Sequence, residues 1–451
     1  MTAFADRAAE AQSLLADLIA AARKAGADAA DAVYHESRSL SAGVRLGQPE
    51  DVESSESREV GLRVLIGQRQ ACVSTTDFGR DAVAALIERG VAMARLAPED
   101  KFCGLPDAAE LARTAIDLDQ LDGVELDMAQ LLERAKACEA AALDVAGVTN
   151  SEGGSASRSM GLTAYAATNG FSGAGFGGSH SISAVAIAGK DTGMERDYDY
   201  SAALHFADLA SPEVIGRNAG ERAVRRLNPR KIESQALPVV YENRVANSLI
   251  GHLSGAINGA AVARGTSFLK DQMGEEIFAP GLDVIDDPLR PRGFRSRWFD
   301  MEGVARQRRK LIDQGRLTTW LLDCATARQL GLKSTGHASR GTSSPPSPGA
   351  TNLYLAAGKQ SVEQLLGGIQ RGLYVIEMMG SSINPLTGDY SRGAAGYLIE
   401  NGKLTDPVSE ITIAGNLKQM FKRITPADDL IFRYGTDAPT LLVDGMTIAG
   451  R

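Results

Sequence analysis

Four cysteines are spread through 451 residues, and no two of them form a CxxC pair. Cys72, Cys103, Cys138 and Cys324 therefore read as reduced cytosolic thiols, mostly buried. No apolar run approaches the roughly 18 residues of a membrane-spanning helix. The first turns carry Asp6 and Glu10 and lack the unbroken apolar stretch of a secretion signal, so the expected location is the cytoplasm. Positive charge is also short: the net charge is −8, whereas nucleic-acid binders concentrate basic residues. The exception is the cluster Arg222, Arg225, Arg226, Arg230 and Lys231, which follows an expected helix and suits the negative end of its dipole. There is no GxSxG elbow for a serine nucleophile. The glycines Gly173, Gly175, Gly177 and Gly178 lack the spacing and lysine of a phosphate loop, and they read as a flexible turn.

What is present is an ordinary globular composition, 44% hydrophobic and 23% charged, on a chain long enough for two or three domains. Residues 6–25 place Leu14, Leu15, Leu18, Ile19 and Ala22 on one helical stripe that stops at Gly26. The period then becomes two, through Leu40, Ala42, Val44 and Leu46, and again through Val60, Leu62, Val64 and Ile66. A third strand through Ala71 and Val73 and a helix over 81–95 complete an α/β unit, 1–98. A polar connector, 99–122, leads to a central α/β unit, 122–230, in which Ser211-Pro212 opens a helix. From 234 to 451 short strands alternate with tight turns at Asp313-Gln314-Gly315, Asn401-Gly402 and Asp444-Gly445. Two pairs of segments nearly repeat, Leu311–Leu317 with Leu398–Leu404 and Thr412–Gly415 with Thr447–Gly450, which suits a closed sheet that hides its edges. The expected fold is α+β: an N-terminal α/β region with antiparallel sheets and packing helices, then a C-terminal β-rich, barrel-like domain. Residues 340–349, RGTSSPPSPG, are expected to be a mobile surface loop.

Chemistry-bearing residues fall in a few places. An expected helix from Asn243 to Ala263 carries Val245, Leu249, Leu253 and Ile257 on one face, with Gly251, Gly255 and Gly259 as a bare ridge for close packing. Each such glycine costs a helix about 1 kcal/mol relative to alanine. Glu195, Asp197 and Asp199 share one face of a strand at roughly 7 Å spacing, too far for a shared-proton dyad. They read as a solvated or interface face, with Tyr198 and Tyr200 packed on the other side. Asn384, Thr387, Asp389, Tyr390 and Arg392 form the strongest candidate substrate surface, and His337 joins them as a candidate. Asp389 could orient backbone amides, Tyr390 offers flat apolar area and Arg392 can bind a carboxylate, so an extended peptide could add along this β-rich region. A conformationally demanding turn is the competing reading.

The block Gly380–Asn416 also closely resembles the C-terminal signature of the TldD/PmbA family of bacterial peptide-processing proteins. So do Asn169-Gly170-Phe171, Met194–Tyr198, Trp298–Val304 and Ser334-Thr335-Gly336, in family order. The resemblance is to the PmbA (TldE) branch. In the TldD branch the matching helix carries a His-Glu-x-x-x-His metal motif, with a further cysteine ligand near the C-terminus. Here the corresponding positions are Ile250, Gly251 and Gly255, and no cysteine follows Cys324. The resemblance thus implies a subunit with no catalytic residues, metal or cofactor of its own. It would bind unfolded peptides and shape a chamber with a TldD-like partner that supplies zinc, while a homodimer is possible in isolation. Family associations with peptide-antibiotic maturation, antitoxin turnover and modulation of DNA gyrase come with it. Two alternatives stay open: a self-sufficient homodimeric hydrolase using His337 and Asp389, and a non-proteolytic protein that contacts gyrase.

Overall fold

Period-two alternation lays down a long sheet, and helices then cover it from one side. The computed structural model describes residues 2–450. Helix α1 (Thr2–Lys24) precedes strands β1 (Ala29–Arg45), β2 (Gln48–Ile66) and β3 (Arg69–Thr75) and helix α2 (Arg80–Leu96). Then come α3 (Met128–Leu143), β4 (Val148–Ala167), β5 (Ser172–Ala188), β6 (Glu195–Ala203) and α4 (Pro212–Arg225). The six strands form one antiparallel sheet in the order β3-β2-β1-β4-β5-β6. Pairing of β1 with β4, from Asp31↔Ala167 to Val44↔Gly154, joins the first two sequence units in that sheet. Asp127 and Gln130 form a reciprocal capping box on α3, and Ser211 caps α4 ahead of Pro212.

The two sheet faces have different roles because successive side chains point to opposite sides. On one face Ala30, Ala32, Leu62, Val64 and Ala164 share a core with α1 and α2. Further along the same face Ala42, Val44, Ala156, Ile182 and Ala184 share one with α3 and α4. The opposite face divides in two. One end, with Asp31, Arg63 and Tyr165, is buried under the C-terminal half. The other end is a field of serines: Ser37 and Ser39 of β1 stand in register with Ser57 and Ser55 of β2, and Ser39 and Ser41 with Ser159 and Ser157 of β4. Ser155, Ser157 and Ser159 pair in turn with Ser183, Ser181 and Ser179 of β5, with hydroxyl contacts of 2.7–2.8 Å.

The C-terminal half opens with β7 (Gln235–Tyr241), α5 (Asn243–Ala256) and α6 (Gly259–Ala263). It continues through β8 (Val284–Asp286), β9 (Arg309–Asp313), β10 (Arg316–Leu317), α7 (Cys324–Gln329), β11 (Ala338–Ser339), β12 (Ser347–Pro348), β13 (Leu353–Leu355) and α8 (Val362–Gly367). The chain ends with β14 (Arg371–Ile383), β15 (Asp389–Glu400), β16 (Lys403–Asn416), α9 (Leu417–Phe421), β17 (Ile424–Pro426), β18 (Thr436–Asp437) and β19 (Leu441–Ala449). Strands β16, β15, β14, β7 and β19 follow one another, and a β16–β19 pairing closes the ring into a five-stranded barrel. The closing contacts are Thr412↔Ala449, Ile413↔Ile448 and Ala414↔Thr447, so the echoed segments Thr412–Gly415 and Thr447–Gly450 meet each other. A second sheet, β10-β9-β8-β13-β18, lies beside the barrel. Leu249, Ile250 and Leu253 of α5 share one core with Tyr241, Val375, Ile411 and Val443 of the barrel strands.

Turn chemistry sets both repeated hairpins: Asn401 and Gly402 have φ of 51° and 78°, and Gln314 and Gly315 have 50° and 91°. Several expectations are corrected. Asp444-Gly445 is a bulge within β19, where the register shifts between Val443 and Met446, and not a turn between strands. The turn between β4 and β5 is confined to Thr168–Phe171, and Gly173–Gly178 belongs to β5, extended by pairing with β4. Residues 340–349 are anchored by the β11–β12 pair, and Thr342 and Pro348 are buried. A Cβ at Gly61 would lie 2.0 Å from the Thr342 carbonyl oxygen, so this segment sits directly on β2. The expected helix 243–263 is broken at Ile257-Asn258, where Asn258 caps α6.

Candidate functional site at helix α5 and the domain seam

Helix α5 turns its apolar residues into the barrel core and its glycines outward. Gly251 and Gly255 are exposed, and a Cβ on either would meet nothing within 4 Å. Only Gly259 packs closely, with a Cβ position 2.6 Å from Leu322 Cδ2. The expectation of a tightly packed ridge therefore holds at one glycine of three, because the chain bends between α5 and α6. Ile250 is fully buried. His252 meets the edge of the Tyr390 ring at 5.9 Å, and its Nε2 is buried without a partner. Burial, reinforced by the Arg392 guanidinium, lowers the His252 pKa below the usual range and keeps the ring neutral at pH 7. Arg392 Nε is likewise buried without a partner, and the Tyr390 hydroxyl contacts Met378 Sδ at 3.3 Å. Tyr390 is 2% exposed, so it offers no surface for a ligand and serves the core.

The turn before it satisfies itself. Asn384 Oδ1 accepts from the Leu386 amide at 2.9 Å, and the Thr387 hydroxyl donates to Asp389 Oδ2 at 2.6 Å. Asn416 Nδ2 donates to the other Asp389 oxygen at 2.9 Å. These hydrogen bonds from Thr387 and Asn416 hold the exposed Asp389 carboxyl below its ordinary pKa. His337 lies elsewhere, fully enclosed beside β8. Its Nδ1 is 2.8 Å from the Thr335 hydroxyl and its Nε2 is 3.1 Å from Asp286 Oδ2. Asp286 also accepts the Thr351 amide and hydroxyl at 2.7 and 2.5 Å. The carboxylate that orients His337 is thus Asp286, and Asp389 has its own partners on the barrel rim. The structure does not bring the two together. His180, on β5, is 3.2 Å from Asp122 and is also held below its usual pKa by burial.

The seam between the halves carries a network of ion pairs. Asp197 and Asp199 are buried, with Asp199 accepting from Asn218 of α4 at 2.8 Å. Asp197 is 3.1 Å from Arg244 of α5, and Glu195 is 3.4 Å from Arg226. The carboxylate row is therefore an internal interface and not a solvated face. On the other side Tyr198 is exposed and stacks on the half-buried Tyr200 at 6.1 Å, which stacks on Tyr434 at 5.1 Å. The basic cluster is spent on the same seam. Arg226 reaches Glu377 at 2.6 Å, Arg222 reaches Glu242 at 3.4 Å, Arg230 reaches Asp406 at 2.7 Å and Lys231 reaches Glu410 at 2.6 Å. Arg225 lies over the Tyr397 ring at 4.6 Å.

A second cluster lies under the sheet. Asp31 of β1 accepts from Arg63 Nε at 2.7 Å and from Arg340 Nη1 of the anchored 340–349 segment. Asp300 accepts the amides of Glu302 and Val304, both at 2.9 Å, and that of Ala338 at 3.0 Å. Glu302 accepts the Cys324 amide at 2.8 Å and lies only 4.0 Å from Arg63. Burial pushes the Glu302 carboxyl up to about 7. Phe171 packs on Gly303, which explains why Asn169–Phe171 and Trp298–Val304 belong together. Sequence reading missed this cluster because its members lie up to 309 positions apart.

Three family profiles match consecutive parts of the chain: PmbA/TldA metallopeptidase domain 1 over 30–94, the central domain over 122–227 and the C-terminal domain over 234–450. Metalloprotease PmbA of Escherichia coli is 38% identical over 94% of this chain and 93% of its own length. The chain is a member of the PmbA/TldD metallopeptidase family. The PmbA homolog of Haemophilus influenzae is 35% identical over 95% of the chain and 94% of its own. A TldD homolog of Buchnera aphidicola is 28% identical over 56% of each chain. Among solved structures, a modulator-of-DNA-gyrase type protein of Bacteroides thetaiotaomicron superposes with a TM-score of 0.90, 27% identity and coverage of 98% and 99%. TldE of Thermococcus kodakarensis shares the fold, with a TM-score of 0.87, 22% identity and coverage of 97% and 100%. No helix among the described residues is long and apolar enough to cross a membrane. The four cysteines are free.

Proposed function

We propose that this chain is the PmbA/TldE-type subunit of a two-subunit peptidase, binding unfolded peptide and enclosing it while a TldD-like partner supplies the zinc. The observation that carries the reading is the outer face of α5. Where the metal-binding branch has three ligands, this chain has a buried Ile250 and two glycines without side chains. A catalytic zinc needs about three protein donors and an open position for water. The single histidine of α5, His252, is packed on Tyr390, so this donor set does not fit the ion. The open, glycine-lined face leaves room beside the helix for an extended chain. The Asn384–Arg392 segment contributes a rigid rim through Asn384, Thr387 and Asp389, with Tyr390 and Arg392 beneath it. We place the protein in the cytoplasm, in keeping with its free thiols.

The test is hydrolysis of a casein-derived unfolded peptide by the purified chain, alone and mixed with a TldD-type protein. Zinc per chain is measured by mass spectrometry of the metal. Activity only in the mixture, with less than a tenth of a zinc per purified chain, is the expected result. Cleavage by the chain alone, or one tightly held zinc per chain, would overturn it.

A further inference from the structure

A cavity of about 300 Å³ lies where the edge strand β6 meets the loops 290–294 and 432–437. Its walls include Ala202, Leu204, Arg290, Phe432, Arg433 and Asp437. The charges around it are unevenly satisfied. Arg292 is taken by Asp119 and Asp208 at 2.6 and 2.7 Å. Asp437 is occupied by the backbone, accepting the amides of Arg433, Tyr434 and Gly435 at 2.9–3.3 Å. Arg290 and Arg433 form no salt bridge with a carboxylate among the described residues. Arg433 Nη1 is buried beside the Tyr200 hydroxyl. Burial raises the Asp437 carboxyl pKa, and Arg290 is close enough to draw it part of the way back down. Both guanidiniums are instead held by rings: Arg290 lies 3.3 Å from the Phe432 ring centre, and Arg433 lies 5.7 Å from that of Tyr200. Ring contacts orient an arginine without neutralising it, and they leave its planar donors free for a carboxylate.

The approach to the cavity runs over the short side chains of the serine face. Tyr200 stands opposite Ser183 and Ala202 opposite Ser181, so the serine field of the sheet runs into the cavity mouth. Short hydroxyls already paired across the strands give a flat, polar floor, bordered at the cavity end by the Tyr198–Tyr200–Tyr434 stack.

We infer that this cavity is a carboxylate pocket that takes the C-terminal end of a peptide lying along the serine face. The inference rests on the peptide-binding reading above. Arg290 and Arg433 grip the terminal carboxylate, and Phe432 with Leu204 receives the last side chain.

The experiment measures fluorescence anisotropy of the purified full chain with an N-terminally labelled pentapeptide, AAAAF, as the free acid and as the C-terminal amide. A third peptide, AAAEF amide, keeps a carboxylate only on a side chain. The free acid should bind at least tenfold more tightly than either amide. Arg290→Gln and Arg433→Gln should each erase that preference. Equal binding of acid and amide overturns the pocket but leaves the peptide-binding reading intact. Tighter binding of the glutamate amide than of the free acid also overturns it, in favour of side-chain carboxylates. Failure of all three peptides to bind overturns both readings. Because acid and amide are compared on the unaltered chain, the outcome does not depend on how well the variants fold.

Discussion

Two parts of the seam between the halves hold the same kinds of charge in different surroundings. At the rim, Arg230 with Asp406 and Lys231 with Glu410 are exposed pairs, each partner more than a third accessible. Under the sheet, Asp31, Arg63 and Arg340 are closed off from water, with side-chain exposures of 0–3%. Exposed pairs are screened and worth roughly 0–1 kcal/mol each. A buried cluster gains little over an apolar core, yet losing one member strands the others, at about 3–5 kcal/mol. Loss of a buried member should therefore cost the contact between the halves far more than loss of a rim pair.

The sharpest way to break that contrast is Asp31→Ala. It leaves the guanidiniums of Arg63 and Arg340 buried without their shared carboxylate, and urea denaturation should show a loss of about 3–5 kcal/mol. A loss below about 1 kcal/mol would mean that water reaches the cluster. Gly61→Ala attacks the same contact sterically. Its Cβ cannot coexist with the Thr342 carbonyl 2.0 Å away, so the 340–349 segment must lift or β2 must shift, at roughly 1–3 kcal/mol. Limited proteolysis near Ser343-Ser344 should accelerate with it, and an unchanged digestion rate would contradict the anchoring.

Glu302 sharpens the comparison through pH. Its carboxyl titrates near 7 in the folded chain, against an ordinary value of 4.5, because burial disfavours the charge. Between those values the folded state holds more protons than the unfolded state, so this group's contribution to stability is present below pH 4.5 and is lost as pH rises through 7. Glu302→Gln should remove a dependence on the order of 2 kcal/mol between pH 5 and 8, read as the difference between the two denaturation series. Identical slopes would show that Glu302 is ionised in the folded protein throughout. At the rim, Lys231→Ala should cost less than about 1 kcal/mol and the cost should shrink further in high salt. A larger, salt-insensitive loss would erase the distinction between the two parts of the seam.

Much of the fold was legible where the determining physics is local. The hairpin at Asn401-Gly402 follows from two residues that accept positive φ, and the caps at Asp127 and Ser211 follow from side chains that reach their own backbone. The repeated Thr-Ile-Ala-Gly segments suggested a closed sheet without saying that they were the two strands that close it. The candidate surface at 384–392 was legible as a demanding turn, and Asn384, Thr387 and Asp389 do build one. Tyr390 read as a surface ring and is buried, because alternation on β15 aims it at α5. Sequence reading gave the carboxylates of β6 as a solvated or interface face, with its tyrosines packed on the other side. The interface alternative holds, because Asp197 and Asp199 face arginine and asparagine partners from α4 and α5, while Tyr198 is exposed rather than packed.

The sequence by itself determined that Ile250, Gly251 and Gly255 offer no side-chain donor, since neither residue type carries one in any conformation. It determined the turns and caps for the same reason: the interacting atoms are a few bonds apart. Only the tertiary structure decided that Arg340 would complete Asp31 across 309 positions, and that the 340–349 segment would be pinned on β2. It alone set the serine field beside Arg290 and Arg433. Those outcomes depend on which distant surfaces exclude water together, and no local propensity encodes that.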